Sequence, residues 1–305
     1  LVVLGGSGFI GSHVAGALAE AGHQVTVVSR RAEPGLPWLP AAQYHPADYR
    51  QTDSLRDLIA ETDVVVHAIG TTFPGKASPD STPEIANDLM ASVALLDLMQ
   101  SVGTKRLIYL SSGGTVYGIP ELLPVPETHA LRPINSYGIV KVAVESYIGL
   151  HARTQGLSAV VLRPSNPYGE GQGRVGSQGL INTLLRRAMT DEVVDIWGDG
   201  SIVRDYFHVA DLARLCVQAV ESGVAGVFNA GSGFGSSVRD LIDLVSEITG
   251  RELKVNYGPG RSVDVPKSVL DISAAGRAFG WTPDITLKDG IARTWDWMRN
   301  APLPE

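Results

Sequence analysis

Three features of the sequence predict an α/β protein built on a doubly wound parallel sheet. An unbroken apolar run, residues 1–4, leads straight into glycines at positions 5, 8 and 11. A second, β-branched run at residues 25–28 returns after Gly22, at the distance a strand–helix–strand unit requires. Further runs such as DVVVHAI at 63–69 and KRLIYLS at 105–111 are continuous rather than alternating, as strands covered by helices on both faces must be.

The first unit carries the most information. Gly5 allows a tight turn, Gly8 lets backbone approach a pyrophosphate, and Gly11 lets helix and strand pack closely. The helix that follows, residues 10–21, points its free N–H groups and positive dipole end at that anion, with Phe9 and Ile10 at its start. A Rossmann-type dinucleotide site is therefore expected. The second strand ends at Ser29-Arg30-Arg31, where an acidic residue would accept from the adenosine ribose and select NAD. No acid stands there. Ser29 leaves room and Arg30 or Arg31 could meet a 2′-phosphate, or the two arginines are simply solvated, so NAD is expected with NADP left open.

Residues 33–40 hold three prolines and read as loop; 43–45 read as a short strand. Asp48 follows and could meet the adenine amino group. The 63–69 strand ends at Gly70, at the carboxyl edge of the sheet where such folds bind ligands, and His67 within it reads as a core histidine. Pro83 starts a helix running to 102, with proline in its first turn. The 105–111 strand leads into Ser111-Ser112-Gly113-Gly114-Thr115-Val116-Tyr117-Gly118, whose serines either face the cofactor cleft or cap the next turn. Tyr137 and Lys141 come next, four apart on one face of a helix at 135–151. In a dinucleotide-binding chain a lysine ammonium and an oxidised nicotinamide together lower a phenol's pKa, and the pair reads as chemistry.

The chain has 305 residues, 44% of them apolar, enough for one large or two unequal domains. Its net charge of −7 argues against nucleic acid or an anionic membrane as partner, so anion sites must be local clusters of Arg or Lys. Cys216 is the only cysteine, which excludes an internal disulfide and fits a reducing, cytoplasmic setting. The histidines show no paired ligand spacing, the apolar runs are strand-length, and no signal peptide is visible; neither metal nor membrane is expected.

With these residues in hand, the chain resembles an extended short-chain dehydrogenase/reductase, and within that group the nucleotide-sugar 4-epimerases of the UDP-glucose 4-epimerase type. The matching stretches are the Gly5/Gly8/Gly11 turn, Tyr117-Gly118, Tyr137-x-x-x-Lys141, Arg163-Pro-Ser-Asn166-Pro-Tyr-Gly, Gly198-Asp-Gly-Ser-Ile-Val-Arg204-Asp-Tyr and Arg261-Ser-Val-Asp264. The resemblance implies Tyr137 as catalytic base, with Lys141 as its electrostatic partner and nicotinamide-ribose ligand. It implies Asn166, Arg204 and Arg261 around a sugar nucleotide's diphosphate. Tyr49, Ala68, Ile69, Gly70, Ser111 and Pro164 join the expected cofactor contacts; Thr71, Gly113, Leu180, Ile196, Asp264 and Ser268 join the expected substrate contacts. A homodimer through helices 83–102 and 135–151 is also implied. An acidic protein binding a dianion needs fixed cations, which supports Arg204 after the Gly198-Asp199-Gly200 turn and Arg261 in the Gly258-Pro259-Gly260 loop.

Two departures stand out. Where the family pattern places a serine or threonine that hydrogen-bonds the reacting hydroxyl, this chain has Gly113, so Tyr137 acts directly or Ser112 or Thr115 reaches in. The second is Ser29. The expected reaction is 4-epimerisation of a UDP-hexose, UDP-N-acetylhexosamine or uronic acid form, with transient hydride transfer to NAD(P). A 4,6-dehydratase would need an acid and a base where Gly113-Gly114-Thr115 stand; an NADPH-dependent 4-keto-sugar reductase or a nucleotide-sensing protein are the rivals. A small Ser268 leaves space for a 2-acetamido group. Residues 1–165, rejoined by 202–235, are expected to form the dinucleotide-binding domain. Residues 166–201 and 236–305 are expected to form the smaller substrate domain, with helices at 180–189, 238–249, 272–279 and 287–298. Helix 209–221 and strand 227–231 rejoin the sheet.

Overall fold

The computed structural model describes residues 1–30, 43–70, 81–172, 179–260 and 265–300. In chain order, β1 (Val2–Leu4), α1 (Phe9–Glu20), β2 (Thr26–Ser29), β3 (Gln43–Pro46), α2 (Arg56–Ala60) and β4 (Val65–His67) form the first half of the sheet and its cover. They are followed by α3 (Thr82–Glu84), α4 (Ala91–Val102), β5 (Arg106–Leu110), α5 (Ser136–Gln155), β6 (Ser158–Pro164) and β7 (Asn166–Tyr168). Then come α6 (Leu180–Thr190), β8 (Val194–Trp197), β9 (Val203–Arg204), β10 (Tyr206–His208), α7 (Val209–Glu221) and β11 (Gly226–Ala230). The chain closes with β12 (Ser236–Ser237), α8 (Val238–Thr249), β13 (Val255–Gly258), β14 (Lys267–Ser268), α9 (Ser273–Phe279) and α10 (Leu287–Asn300).

The main sheet runs β11-β6-β5-β4-β1-β2-β3, all parallel. The chain moves outward from β1 in one direction through β3, then restarts on the other side of β1 with β4. That reversal opens a crevice at the carboxyl ends of β1 and β4, where a ligand can lie on the strand ends. Alternation along each strand feeds two cores. Val3, Val27, Val66 and Ile108 pack with α1 and α7 residues such as Val14, Leu18, Leu212 and Leu215. Val2, Leu4, Val28, Val65 and Tyr109 pack on the other face with Leu95, Met99, Val144 and Ile148 of α4 and α5. A third core joins α6, α8 and α10 through Ile181, Leu184, Leu185, Leu241, Val245 and Trp295. The lone thiol, Cys216, is buried, and burial pushes its pKa up to about 12.

The expected helix at 83–102 is one run from Thr82 to Val102, in which a π-helical turn at Ile85–Met90 joins α3 to α4. The wider turn tucks Asp88 inside, 8% exposed. The whole segment Thr82–Val102 is apolar enough, by length and composition, to cross a membrane, unlike the strand-length runs expected; Leu95, Leu96, Leu98 and Met99 pack in the core, while Ile85 and Met90 are exposed. Helix α5 extends past the expected 151 to Gln155 and ends at Gly156, φ +72°, in the left-handed conformation that closes a helix. Its start is capped by Asn135 Oδ1, which accepts from the Gly138 N–H at 2.8 Å.

Candidate active site

Each glycine of the first turn meets a different demand. Gly5 has φ +81°, and a Cβ there would also press on Ala68 and Ile69 at the end of β4. A Cβ on Gly11 would overlap the Gly5 carbonyl oxygen, so any side chain would lever α1 off the turn. At Gly8, φ is −83° and the nearest atom to a Cβ would be 3.3 Å away, so the protein itself barely requires glycine there. Gly8 is the N-cap of α1, and no side chain caps that helix. An uncapped helix start opening on the crevice suits an anionic diphosphate, whose oxygens can accept from the N–H groups around Phe9, Ile10 and Gly11.

Ser29 ends β2 at 7% exposure, followed by the exposed Arg30. Just past the neighbouring β3, Asp48 accepts from Arg50 Nε at 2.9 and 3.0 Å, and Arg50 Nη1 donates to Asn87 Oδ1 at 2.7 Å. Asp48 is thus oriented by Arg50, which holds its carboxyl below the usual range. Tyr49 differs from expectation. Its ring packs in the core against His67, 5.6 Å between centroids, and its hydroxyl donates to the Asn87 carbonyl, leaving no open face for a nucleotide. His67 itself is 3% exposed and shares a 2.9 Å hydrogen bond with Ser92; burial pushes its pKa down to about 3, and it stays neutral. Ala68 is tied to β1 through its N–H to Leu4 O at 3.0 Å, and Gly70 is exposed at the strand end. Thr71 lies outside the described residues.

Tyr137 and Lys141 stand together on α5, with the Lys141 Nζ 5.7 Å from the Tyr137 ring and 4.9 Å from that of Tyr109. Lys141 is 5% exposed and donates to Leu110 O at 2.9 Å, anchoring α5 to the end of β5. Burial lowers its pKa to about 8, against the pull of Asp88 and Glu145. Tyr137 shares a hydrogen bond with Ser112. Burial, with Asp88 adding to it, pushes this phenol up to about 12, and the Ser112 hydrogen bond only partly offsets that.

The other strand-end hydroxyls separate. Ser111 donates to the Glu145 carboxylate, so its hydroxyl is engaged there rather than open to a cofactor. Thr115 Oγ1 is buried with no hydrogen-bond partner. Gly113 has no room for the family's hydroxyl: a Cβ would lie 2.5 Å from Leu270 Cδ1 and 2.7 Å from the Arg163 carbonyl oxygen. Its N–H donates to Pro164 O at 2.8 Å, so β6 and the turn are held at that distance.

On the substrate side, β7 and β10 pair in parallel, and both the N–H and Nδ2 of Asn166 donate to Asp205 O, at 3.1 and 3.0 Å. Arg204 sits in the small sheet β12-β9-β14, directly opposite Ser268, which is 7% exposed and in a strand. Gly198 and Gly200, φ +81° and +80°, form the expected turn before it. A cavity of about 700 Å³ lies beside that turn, lined by Gly198, Asp199, Arg239, Tyr257, Gly258 and Gly260. Leu180 is the first residue of α6, partly buried. Ile196 is a correction: strand alternation sends its side chain into the third core, 6% exposed, and presents Trp197, 56% exposed, on the outer face instead. Arg261 and Asp264 lie outside the described residues.

Sequence reasoning gave no role to four charged side chains that this geometry brings forward: Asp88 in the π turn, Glu145, Arg163 and Asp205. Arg163 pairs with Glu145, Nη2 to Oε2 2.6 Å, both nearly buried. Asp205 is fully buried and accepts from the Ser232 N–H and hydroxyl, each at 2.7 Å, and from the Leu270 N–H at 3.2 Å. The signal was present for two of them. An arginine inside the apolar run before Pro164 needs a buried anion, and Glu145 lies one turn beyond Lys141. No group of three His, Cys, Asp or Glu side chains able to hold a metal occurs among the described residues.

Known proteins match this arrangement along the whole chain. A putative UDP-glucose 4-epimerase of Methanocaldococcus jannaschii is 31% identical over 302 residues, 98% of each chain. The crystal structure of UDP-glucose 4-epimerase from Thermotoga maritima with UDP-glucose superposes with a TM-score of 0.92 at 34% identity, covering 98% of both chains. A UDP-N-acetylglucosamine 4-epimerase from Methanobrevibacter ruminantium M1, solved with UDP-N-acetylmuramic acid, gives 0.91 at 26% identity, covering 98% of this chain and 97% of the other. Residues 1–231 match the model of a family defined by NAD-dependent epimerases and dehydratases. With the glycine turn, the uncapped helix and the Tyr137/Lys141 face already in place, the chain belongs to the NAD dependent epimerase/dehydratase family.

Proposed function

We propose that this protein is a nucleotide-sugar 4-epimerase acting on a UDP-linked hexose or N-acetylhexosamine. The observation that carries this reading is the cluster of Tyr137, Lys141 and Ser112 at the carboxyl end of β5, two strands from the glycine turn of β1. NAD, when bound, supplies the hydride acceptor and donor for sugar C4. Gly8 and the α1 start would hold the diphosphate of NAD, and Lys141, whose ammonium has N–H bonds to spare beyond the one given to Leu110, would hold its nicotinamide ribose.

Tyr137 takes the proton of the sugar 4-hydroxyl and later returns it. Raised as it is to about 12, the phenol needs added positive charge to reach the phenolate at neutral pH, and Lys141 supplies the protein's share. Ser112 holds the phenol oxygen in place. Ser112, already hydrogen-bonded to Tyr137, stands in for the hydroxyl that Gly113 lacks. Arg204, with Asn166 fixed by Asp205, holds the diphosphate while the sugar turns over between its two faces; Arg261 is the second cation of this reading. Residues 166–201 and 236–305 act as the substrate-holding unit against the sheet, and the cavity at the Gly198–Gly200 turn takes the nucleoside end. The apolar side chains left exposed around α4 and α5, among them Met90, Ile139, Tyr147 and Leu150, support a homodimer through these helices.

The test is to incubate the purified protein with UDP-glucose or UDP-N-acetylglucosamine, without added reductant, and to follow the C4 epimer by NMR. Conversion to an equilibrium mixture of the two epimers is the expected outcome. Stoichiometric NADPH consumption with a 4-keto sugar, and no epimer, would replace this reading by a reductase, the alternative that Ser29 and Arg30 favour.

A further inference from the structure

A buried charged array lies behind the cleft and takes no part in the scheme above. Glu145 sits on α5 one helical turn beyond Lys141. Arg163 Nε donates to its two oxygens at 3.1 and 3.2 Å and Nη2 to Oε2 at 2.6 Å, while the Ser111 hydroxyl donates to Oε1. Arg163 Nη1 also donates to the Tyr117 hydroxyl at 2.9 Å, and Tyr117 donates in turn to Asn229 Oδ1 at 2.6 Å. Asn229 Nδ2 closes the chain on Val125 O and Asp271 O, at 2.9 and 3.1 Å. One connected network thus ties α5, the ends of β5 and β6, the centre of β11 and the segment beside β14. Every hydrogen bond in it is satisfied and its ion pair is forked, the arrangement in which a buried pair gives orientation more than stability.

We propose that Glu145 and Arg163 are positioning residues: their pair clamps the Ser111–Ser112 strand end to helix α5 and so sets the distance between Ser112, Tyr137 and Lys141. This rests on the epimerase reading for the reaction, but the clamp itself is a property of the folded chain. Two features support it. The first is that the clamp grips both neighbours of the chemistry, since Ser111 is adjacent to Ser112 and Glu145 is one turn from Lys141. Charge is the second. Lys141 is faced by Asp88 from the π turn, Glu145 from its own helix, Tyr137, Tyr109 of β5 and neutral His67 of β4, so Glu145 is one of only two carboxylates among the described residues that raise its pKa.

The experiment uses Glu145→Gln, Glu145→Asp and Arg163→Lys in the full chain, with two readouts. Lysine ε-carbon NMR follows the Lys141 titration, which needs no substrate. Steady-state kinetics give kcat and KM against pH. In wild type the Lys141 midpoint should fall near 8. Glu145→Gln removes a raising charge, so the midpoint should move lower and the alkaline limb of kcat should follow it down. Glu145→Asp should restore the midpoint. Arg163→Lys keeps the charge but loses the fork, and it should lower kcat by about tenfold to a hundredfold with KM changed far less, the pattern of a misplaced reacting group. Folded Glu145→Gln and Arg163→Lys proteins with unchanged Lys141 titration and unchanged kcat would overturn the proposal. If Glu145→Gln does not fold, Arg163→Lys decides: a folded Arg163→Lys protein with unchanged kcat would overturn the proposal. A wild type that binds UDP-sugar but produces no epimer would defeat the proposed function and leave the titration arm intact.

Discussion

Restoring the family's hydroxyl at position 113 should damage this protein rather than improve it. In Gly113→Ser the new Cβ would sit 2.5 Å from Leu270 Cδ1 and 2.7 Å from the Arg163 carbonyl oxygen. Leu270 is fully buried in a small cluster with Val116, Tyr117 and Val125, so its side chain has little space to retreat. The Arg163 carbonyl cannot move without straining its flanks, because Ser111 N–H to Leu162 O and Gly113 N–H to Pro164 O, both 2.8 Å, pin the strand on either side. Overpacking of this kind costs about 1–3 kcal/mol. For a chain of this size that lowers Tm by roughly 2–10 °C. The assay is thermal unfolding of Gly113→Ser, alone and with Leu270→Ala, beside kcat for the epimerisation. Leu270→Ala destabilises by itself, by about 2–5 kcal/mol, but it should shrink the additional cost of Gly113→Ser, since one of the two collisions is gone. A Gly113→Ser protein with wild-type Tm and higher kcat would refute the reasoning and show that the site accommodates the usual hydroxyl.

Three further outcomes are expected. Tyr137→Phe should leave fold and NAD binding intact and lower turnover by about 10²–10⁴, the loss typical of a missing acid–base group; turnover within a few-fold of wild type would remove the phenol from the chemistry. Ser29→Asp should shift the ratio of NAD to NADP affinity toward NAD, measured by titration, because a carboxylate at the end of β2 accepts from the ribose and repels a 2′-phosphate. Ser268→Tyr, at a buried position opposite Arg204, should lower the ratio of kcat/KM for UDP-N-acetylhexosamine to that for UDP-hexose by steric exclusion worth about 1–3 kcal/mol; an unchanged ratio means the residue is not at the sugar.

The parts of this molecule legible in the sequence are those governed by neighbours in the chain. The strand at Val2–Leu4, the left-handed Gly5, the tight approach at Gly11 and the shared face of Tyr137 and Lys141 all follow from turn sterics and from periods of 2 and 3.6, and they stand where the pattern puts them. Helices Val209–Glu221 and Val238–Thr249 were readable to the residue for the same reason. Where contacts come from far along the chain, the pattern is silent. Nothing local to Gly113 announces that Leu270 fills its space, and nothing local to Ser111 announces that its hydroxyl belongs to Glu145 rather than to the cleft. Which of Ile196 and Trp197 faces out depends on which face of β8 the third core covers, a matter that only the assembled helices α6, α8 and α10 decide. The same holds for the Tyr137 phenol. Spacing sets Lys141 on its face of the helix, but its pKa depends on how much water the whole fold excludes, and here burial outweighs the Ser112 hydrogen bond.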